Sequence, residues 1–280
     1  MAECEQQICI GSSAGKLTCW SVKTHECEWQ LHDGSSAITA LAVWQGRLVS
    51  AHESGRLRVW NVRTGACEQV VEAEAYGEPR VCAFVVAGTR LAGGCADGTI
   101  MFWTSGAALP LVLEGTVRRG TAAVSALAAW RGTVLSGHRD GAIRVWEGVG
   151  CGGGTTLSCR YAVTALAVHG DVLYSATADG MIQEWEAGSW APLRTARGCQ
   201  PKQPGEYNLC LAVSGSKLVV GSNAAAECPI FYQPHEVRRG SVLMLSRALT
   251  VEKGVPAQRV RATAAVRPLT LRLRSGRCAC

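Results

Sequence analysis

The sequence lacks a long hydrophobic run: no apolar stretch approaches the roughly 18 residues that a membrane-spanning helix needs. No positively charged stub precedes an apolar segment at Met1, so we expect no secretory signal peptide. Without such a signal, the cysteine thiols are expected to stay reduced. We therefore predict a cytoplasmic protein without a transmembrane segment, with the nucleus as the alternative location.

Metal-binding motifs are also missing. The chain has 14 cysteines but no C-x-x-C pair, and the nearest ligand cluster, His25 with Cys27, lacks the second pair that a zinc site requires. A free cysteine inside a strand behaves as a small buried hydrophobic residue. That behaviour is predicted for the cysteines in strand-like segments, which are Cys9, Cys19, Cys82, Cys95, Cys159 and Cys210. We expect no metal and no cofactor.

Catalytic motifs are absent as well. H-E-x-x-H, G-x-S-x-G and the Walker loop do not occur, and the six histidines are scattered along the chain. Residues 148–153 fit G-x-G-x-x-G, but a strand-like run follows them, whereas a dinucleotide site needs a helix there. A flexible hairpin loop is the better interpretation. We expect no catalytic residue and predict that the protein is not an enzyme.

What the sequence does contain is a repeat marked by glycine and tryptophan. At five places a glycine is followed five residues later by a tryptophan, and we predict that these ten residues are equivalent structural positions. The pairs are Gly15/Trp20, Gly55/Trp60, Gly98/Trp103, Gly141/Trp146 and Gly180/Trp185. Successive tryptophans lie 40, 43, 43 and 39 residues apart, which is the range of a four-stranded propeller blade and exceeds that of leucine-rich or tetratricopeptide repeats.

Each repeat has the pattern of an antiparallel meander. In residues 162–186, two short apolar runs and a third that ends near Trp185 are separated by turns at residues 169–171 and 179–180. Runs of about five residues, rich in β-branched and aromatic side chains and bounded by Gly and Asp, are typical of strands. A fourth strand is predicted between each tryptophan and the next repeat, for example at residues 66–71 and 108–113.

Four repeats resemble the WD-repeat β-propeller family in the segments LRVWNV, TIMFWTS, AIRVWEG and MIQEWEA, with the turns CADG, HRDG and TADG before three of them. The resemblance covers about residues 7–245. It implies an all-β protein, a β-propeller of four-stranded antiparallel blades, and we favour six blades over seven or an incomplete ring. The residue after the tryptophan is never Asp, and no Gly-His pair opens a repeat. We therefore expect blades held mainly by packing, without the family's internal Asp-His-Ser-Trp hydrogen-bond network.

The predicted propeller domain spans residues 1–246, and both of its ends are irregular. A degenerate sixth blade occupies about residues 207–246, with strands at 208–213 and 217–222. Its third strand is predicted at 242–245, in preference to a strand through Ile230, because Pro229 disfavours a strand interior. At the other end, residues 7–11 match the second strand of a blade. The first strand is therefore expected from elsewhere in the chain, since a propeller must hide its strand edges.

Residues 247–280 form a basic tail that carries eight basic residues against one acidic residue, which leaves residues 1–246 with a net charge of −1. Leu269, Leu271 and Leu273 alternate with polar residues, as in a half-buried strand, and are the candidate for the missing first strand. The alternatives are a disordered arm that contacts RNA or acidic lipid, and a sequence error at the end of a gene model. The terminal Cys278-Ala279-Cys280 resembles the doubly prenylated end of small membrane-trafficking GTPases.

The resemblance implies partner binding through the loops that enter the first strands and the turns between second and third strands. Tyr and Arg on such loops are typical of interaction hot spots. The partner-binding candidates are His52, Glu53, Tyr76, Arg80, Arg118, Arg119, Arg139 and Tyr207. Trp44 and Trp130 occupy equivalent turns at the opposite face and are expected to pack against the neighbouring blade, with a second exposed surface as the alternative.

We therefore predict a non-enzymatic protein-protein interaction scaffold or adaptor, monomeric within a larger complex. One alternative is an RNA-associated propeller that uses the basic tail. A second is the substrate-recognition subunit of a ubiquitin ligase, because the compact turns are similar to those of F-box-type adaptors. A third is a propeller enzyme with an active site in its channel.

Overall fold

The computed structural model describes residues 2–4, 7–32, 36–72, 80–106, 110–148, 154–197, 209–214, 217–222 and 243–245. All of these belong to one compact unit, Met1–Ala248, and a second unit, Leu249–Cys280, lies outside the described residues. The described residues form β-strands and turns and include no helix, so the all-β prediction is confirmed. Among them, no helix is available that could cross a membrane.

The strands form six sheets, numbered here in chain order. Sheet 1 contains β1 (Ala2–Cys4), β2 (Gln7–Gly11), β3 (Lys16–Ser21) and β4 (Cys27–His32). Sheet 2 contains β5 (Ile38–Trp44), β6 (Arg47–His52), β7 (Leu57–Asn61) and β8 (Cys67–Val71). Sheet 3 contains β9 (Val81–Ala87), β10 (Arg90–Cys95), β11 (Thr99–Thr104) and β12 (Val112–Arg118).

Sheet 4 contains β13 (Val124–Trp130), β14 (Thr133–His138), β15 (Ala142–Trp146) and β16 (Thr156–Ser158). Sheet 5 contains β17 (Val163–His169), β18 (Val172–Thr177), β19 (Met181–Glu186) and β20 (Pro192–Arg197). Sheet 6 contains β21 (Leu209–Ser214), β22 (Lys217–Ser222) and β23 (Leu243–Leu245). Sheets 1–5 are antiparallel meanders in chain order, as predicted, although β12 begins at Val112 where residues 108–113 were expected.

The glycine of each repeat forms the turn between the second and third strands. In sheets 1–5 its φ is positive, from 73° at Gly15 to 89° at Gly98, a conformation that glycine adopts at low cost. The tryptophan five residues later is buried in the core of sheets 2–5. In these four sheets, the fixed spacing of glycine and tryptophan therefore reflects one turn geometry followed by one core position.

Trp20 of sheet 1 has the same register as the other repeat tryptophans, opposite Ile8 as Trp60 is opposite Leu48, but its side chain is only half-buried. Trp60 of sheet 2, by contrast, is buried in a cluster that includes Cys9 of sheet 1. The position of Ser50, whose hydroxyl accepts a hydrogen bond from Trp60 Nε1 in sheet 2, is also changed. In sheet 1 it holds Ile10, which is 43% exposed and offers no hydroxyl to the indole N–H.

Four strands form the first sheet, and the N-terminal segment supplies the first of them. β1 pairs antiparallel with β2, from Ala2 opposite Cys9 to Cys4 opposite Gln7. The expectation that the N-terminus supplies no first strand is therefore wrong. β1 has three residues where β5, β9, β13 and β17 have seven, and its sequence contains no β-branched residue. The tail leucines proposed for this position lie outside the described residues.

Neighbouring sheets are joined through a β-bulge in their first strands. The register between first and second strands shifts in sheets 2–5, and in β5 and β13 the extra residues are Thr39 and Ser125. The Thr39 hydroxyl donates a 2.6 Å hydrogen bond to the Val81 carbonyl of sheet 3, and the Ser125 hydroxyl donates to the Val163 carbonyl of sheet 5. First strands of consecutive sheets pack together from sheet 1 to sheet 6.

Sheets 2 and 4 contain a buried hydrogen-bond network that the sequence analysis did not expect. In sheet 4, Trp146 Nε1 donates to Ser136 Oγ (2.7 Å), Ser136 Oγ lies 2.7 Å from His138 Nε2, and His138 Nδ1 lies 3.0 Å from the Ala122 carbonyl. Because a carbonyl only accepts, Nδ1 carries the proton and the serine hydroxyl donates to Nε2. The expectation that the sheets are held mainly by packing, without such a network, is therefore wrong in sheets 2 and 4.

The same chain runs through sheet 2, from Trp60 Nε1 to Ser50 Oγ (2.8 Å), on to His52 Nε2 (3.0 Å), and from His52 Nδ1 to the Ser36 carbonyl (3.3 Å). A backbone carbonyl takes the place that the family network gives to an aspartate. Sheet 5 keeps the Trp185–Ser175 bond at 2.9 Å but has Thr177 at the histidine position.

Trp44 and Trp130 pack against the next sheet, as predicted. Trp44 is buried, and its Nε1 donates to the Thr89 carbonyl in the β9–β10 turn (3.1 Å). Trp130 Nε1 donates to Asp171 Oδ1 in the β17–β18 turn (3.1 Å), and its ring contacts Trp190 edge-on with centroids 5.5 Å apart. The same tryptophan position thus joins sheet 2 to sheet 3 and sheet 4 to sheet 5.

Sheet 6 departs from the meander. β21 and β22 form an antiparallel hairpin within the expected segments, and β23 lies beside β22, which agrees with the preferred third strand at residues 242–245. β23 nevertheless runs parallel to β22, with Val219 opposite Leu243. A parallel neighbour requires a crossover connection, here residues 223–242, in place of the tight turn of the other sheets. The alternative strand through Ile230 lies outside the described residues.

The structure describes the burial of eight cysteine side chains. Cys9, Cys19 and Cys95 are buried as predicted, whereas Cys82 and Cys159 are half-buried. Cys210 is exposed, which corrects its assignment to the core, and Cys159 directly follows β16 instead of lying within a strand. The three buried thiols therefore serve as small packing residues, whereas Cys27, Cys67 and Cys210 are exposed.

Candidate protein-interaction surface

Two sets of loops meet at one end of each sheet, here called the loop end: the segments that enter the first strands and the turns between second and third strands. A backbone hydrogen bond joins the two sets in sheets 2–5. The bonds are Glu53 N to Ala37 O (2.8 Å), Ala96 N to Arg80 O (2.9 Å), Arg139 N to Ala123 O (3.1 Å) and Ala178 N to Ala162 O (2.9 Å). The backbone of the loop end is therefore fixed by a repeated contact.

His52 does not belong to the accessible part of this surface. Its side chain is buried in the sheet 2 network, and this burial outweighs the hydrogen bond to the Ser36 carbonyl and lowers the pKa of His52 below the usual 6.5, with a smaller contribution from the Arg56 charge. The neutral imidazole connects the β6–β7 turn to the segment that enters β5. Its prediction as a partner-binding residue is corrected, because it positions the loop from inside.

Glu53 and Arg80 form an ion pair with each other, since Arg80 Nη1 lies 3.0 Å from Glu53 Oε1. Glu53 is in the turn of sheet 2 and Arg80 directly precedes β9, so the pair crosses between sheets 2 and 3. Both side chains are about half exposed. Such an exposed pair stabilises by only about 0–1 kcal/mol, so both groups remain available to a partner.

Arg118 and Arg119 are adjacent in sequence but have different environments. Arg118 is exposed, and it contacts Asp97 (Nη1 to Oδ2, 3.4 Å) and the Gly120 carbonyl (Nε to O, 3.0 Å). Arg119 is half-buried: its Nη1 donates to the Gly154 carbonyl (2.9 Å), and its guanidinium lies 4.8 Å from the centre of the Trp146 ring. Arg119 therefore packs sheet 3 against sheet 4 and is not a free contact residue.

Arg139 lies exposed in the β14–β15 turn, next to a loop that the sequence analysis overlooked. Gly141 packs so closely on that loop that a Cβ atom would come 2.5 Å from the Cys159 carbonyl oxygen and 3.0 Å from that of Tyr161. Arg160 and Tyr161 are both exposed there, and the Arg160 guanidinium lies 5.6 Å from the centre of the Tyr161 ring. Arg160 and Tyr161 lie three and two residues before β17, in a segment that enters a first strand, as Arg80 does directly before β9.

Arg144 is a buried arginine on β15, the strand that follows the Arg139 turn. Arg144 is 9% exposed, and its Nη2 donates to Asp140 Oδ2 at 2.8 Å. Partial burial would raise the pKa of Asp140, but hydrogen bonds from Arg144 and from the Ala142 N–H outweigh it and lower the pKa. Asp140 is therefore negatively charged at neutral pH.

Two of the candidates, Tyr76 and Tyr207, lie outside the described residues. Of the others, the structure brings Glu53 and Arg80 together, and it groups Arg139 with Arg160 and Tyr161. Within the described part of the chain, no group of three His, Cys, Asp or Glu side chains has the arrangement of a metal site. What this end of the sheets offers chemically is guanidinium groups, a phenol ring and a fixed backbone, which suits binding.

A scan against protein-family models finds no match for this chain, and a search of curated proteins finds no similar sequence. The function of the chain is therefore argued from its own residues.

Proposed function

We propose that the protein is a non-enzymatic interaction scaffold of the WD-repeat β-propeller type, which binds partner proteins through its loop end. The observation that carries the proposal is the grouping of exposed Arg139, Arg160 and Tyr161 on a backbone fixed by repeated hydrogen bonds. A preformed surface loses little conformational entropy on binding, and Arg and Tyr are enriched at binding hot spots. This arrangement is consistent with an adaptor protein that acts in the cytoplasm.

Support for the propeller type comes from the repeated units. Five sheets share the meander order and the turn glycine, four of them share the first-strand bulge, and their first strands pack in succession. Sheets 2 and 4 also have the Trp-Ser-His part of the network typical of well-formed WD repeats. Six blades would follow if sheet 6 is counted as one. A role as the substrate-recognition subunit of a ubiquitin ligase is one specific form of this scaffold.

The test is a quantitative pull-down from native cell extract with the full chain. The loop-end variant carries Arg139→Ser, Arg160→Ser and Tyr161→Ser. The matched control carries Lys23→Ser, Arg63→Ser and Leu193→Ser, which removes two cations and one exposed apolar side chain at the opposite end of the sheets. We expect a discrete set of proteins to be lost from the loop-end variant and kept by the control.

Retention of the same proteins by both variants would contradict the choice of surface. Recovery of RNA alone would favour the other candidate, an RNA-associated protein that works through residues 247–280. Circular dichroism of all variants checks that folding is unchanged.

A further inference from the structure

The charges at the loop end are unevenly distributed. Apart from Arg80, whose carboxylate partner Glu53 lies in sheet 2, the described residues of this end over sheets 3–5 include six arginines and three aspartates. They are Arg118, Arg119, Arg139, Arg144, Arg160 and Arg197, with Asp97, Asp140 and Asp179. Their net charge is +3 (six minus three), whereas residues 1–246 together carry −1. Positive charge is therefore concentrated at one place on a nearly neutral body.

All three aspartates already have partners. Asp97 accepts from the Thr99 hydroxyl (2.8 Å) and contacts Arg118, and Asp140 is paired with Arg144. Asp179 accepts from the Thr177 hydroxyl and stabilises its own turn. Within the described ranges, Arg139, Arg160 and Arg197 form no ion pair. The guanidiniums of Arg139 and Arg160, which lie on two loops in contact, and the Tyr161 ring are called the arginine surface below.

Sheet 2 shows that this arrangement is not general at the loop end. There, Arg56 Nε lies 2.6 Å from Glu72 Oε2, and Arg80 is paired with Glu53. Arg56 and Arg80 thus each have a carboxylate partner. The unpaired arginines are thus confined to sheets 4 and 5.

The arginine surface is also held in place. Cys159 N donates a 2.8 Å hydrogen bond to the Gly141 carbonyl, so the loop before β17 lies directly on the turn that carries Arg139. Only glycine allows this approach, because a Cβ at position 141 would overlap the Cys159 carbonyl. Arg160 lies over Tyr161, which limits the conformational freedom of both side chains. The two guanidiniums of Arg139 and Arg160 are therefore kept on adjacent loops.

We infer that the arginine surface docks an acidic segment of a partner protein. Adjacent like charges repel, and carboxylates from a partner would relieve that repulsion while accepting paired N–H bonds from each guanidinium. Tyr161 adds an aromatic contact with a polar tip, which suits a peptide more than a bare polyanion. The inference rests on the proposed function and specifies which chemistry the partner presents.

The test is fluorescence polarisation with a labelled poly-glutamate peptide and the full chain at low salt. The charge-reversal variant carries Arg139→Glu and Arg160→Glu, and the control carries Lys23→Glu and Arg63→Glu, an equal change of charge at the opposite end. We expect at least about tenfold weaker binding for the first variant and less than about twofold for the control. The basic tail is present in every sample, so its contribution cancels.

Equal loss in both variants would overturn the inference, because binding would then follow net charge. So would a single-stranded RNA oligonucleotide that binds more tightly than the peptide and depends on the same two arginines. If the pull-down partners depend on the loop end while the peptide ignores it, the scaffold proposal stands and the acidic partner is rejected. A thermal melt of each variant identifies any loss that comes from unfolding.

Discussion

Gly93 lies so close to Trp103 that a Cβ atom at position 93 would come 2.7 Å from Cζ3 of the indole ring. The equivalent residues of sheets 2, 4 and 5 are serines, whose hydroxyls accept a hydrogen bond from the indole N–H. In sheet 3 the ring occupies the space of that serine, and Trp103 Nε1 is buried without a hydrogen-bond partner. Sheet 3 therefore packs its indole ring more closely against the second strand but lacks the hydrogen bond that the serine accepts in sheets 2, 4 and 5.

This close packing predicts that Gly93→Ser destabilises the protein although it restores the residue of the other repeats. The fully buried ring of Trp103 cannot move aside freely, and overpacking of a core costs about 1–3 kcal/mol. Chemical denaturation should show the loss, with Gly93→Ala giving a similar one because both add the same Cβ. An increase in stability with serine would mean that the indole can turn and regain its bond.

Ser136→Ala is expected to destabilise the protein more than Ser175→Ala. In sheet 4 the change removes the partner of both Trp146 Nε1 and His138 Nε2, whereas in sheet 5 the tryptophan is the main group affected. A buried polar group left unsatisfied costs about 1–3 kcal/mol, so the difference should be of the order of 1 kcal/mol. Denaturant midpoints of the two variants measure it, and equal midpoints would show that the histidine link adds nothing.

The repeat explains which parts of the fold the sequence predicts. The Gly55 to Trp60 spacing fixes a turn and a core position together, so its recurrence locates sheets 1–5. Ser50 and His52 lie on the same side of a strand because side chains alternate, and they oppose the strand that carries Trp60. Comparing these positions between repeats would have revealed the network. The short Glu-Ser-Gly turn that follows His52 suggested a surface position instead.

Other features have no local signal. The half-burial of Trp20 is not marked in the sequence, because its spacing from Gly15 is the same as in the buried repeats. The short strand β1 is stabilised by pairing with β2, and its three residues have no strand propensity of their own. Arg160 and Tyr161 become part of a surface only because position 141 lets two loops touch, a tertiary contact that the spacing of residues does not encode.

The parallel direction of β23 has a similar explanation. It depends on a connection of about twenty residues, whose path a local pattern cannot specify. The tight turns of sheets 1–5, by contrast, are encoded by single glycines. The local sequence therefore predicts the hairpins, but it does not predict the path of a long connection.

The buried histidines predict a loss of stability on mild acidification. Burial lowers the folded-state pKa of both His52 and His138 from 6.5, so the unfolded chain binds protons at a higher pH than the folded protein. The free energy of unfolding should therefore be unaffected well above pH 6.5 and should fall as the pH decreases from 6.5 towards the lowered pKa. Denaturation curves over this range measure the slope.

The control for the pH effect is the double variant His52→Gln and His138→Gln. It cannot take up these protons, so its stability should depend less on pH between about 6.5 and 5, even though it is less stable at neutral pH. Carboxylates contribute mainly below this window. An unchanged slope in the double variant would assign the pH dependence to other groups.

Glu184 presents a buried carboxylate on the face of sheet 5 that packs against sheet 6. Its side chain is 1% exposed, and it accepts a 3.1 Å hydrogen bond from Arg194 Nε, whereas the equivalent positions of sheets 2 and 4 hold Val59 and Val145. Tyr174 is beside it, and burial, with Glu184 as a further cause, raises the pKa of Tyr174 to about 12. Glu184 and Tyr174 therefore place two polar groups among the apolar side chains between sheets 5 and 6.

We predict that Arg194→Met costs more stability than the double change Glu184→Val with Arg194→Met. The single change leaves a buried carboxylate without its cation, which costs about 2–3 kcal/mol after allowing for the partial exposure of Arg194. The double change restores the residue type of sheets 2 and 4 and should recover most of that loss. A double-mutant cycle from denaturant unfolding measures the coupling, and simple additivity of the two changes would show that the ion pair has no role at this interface.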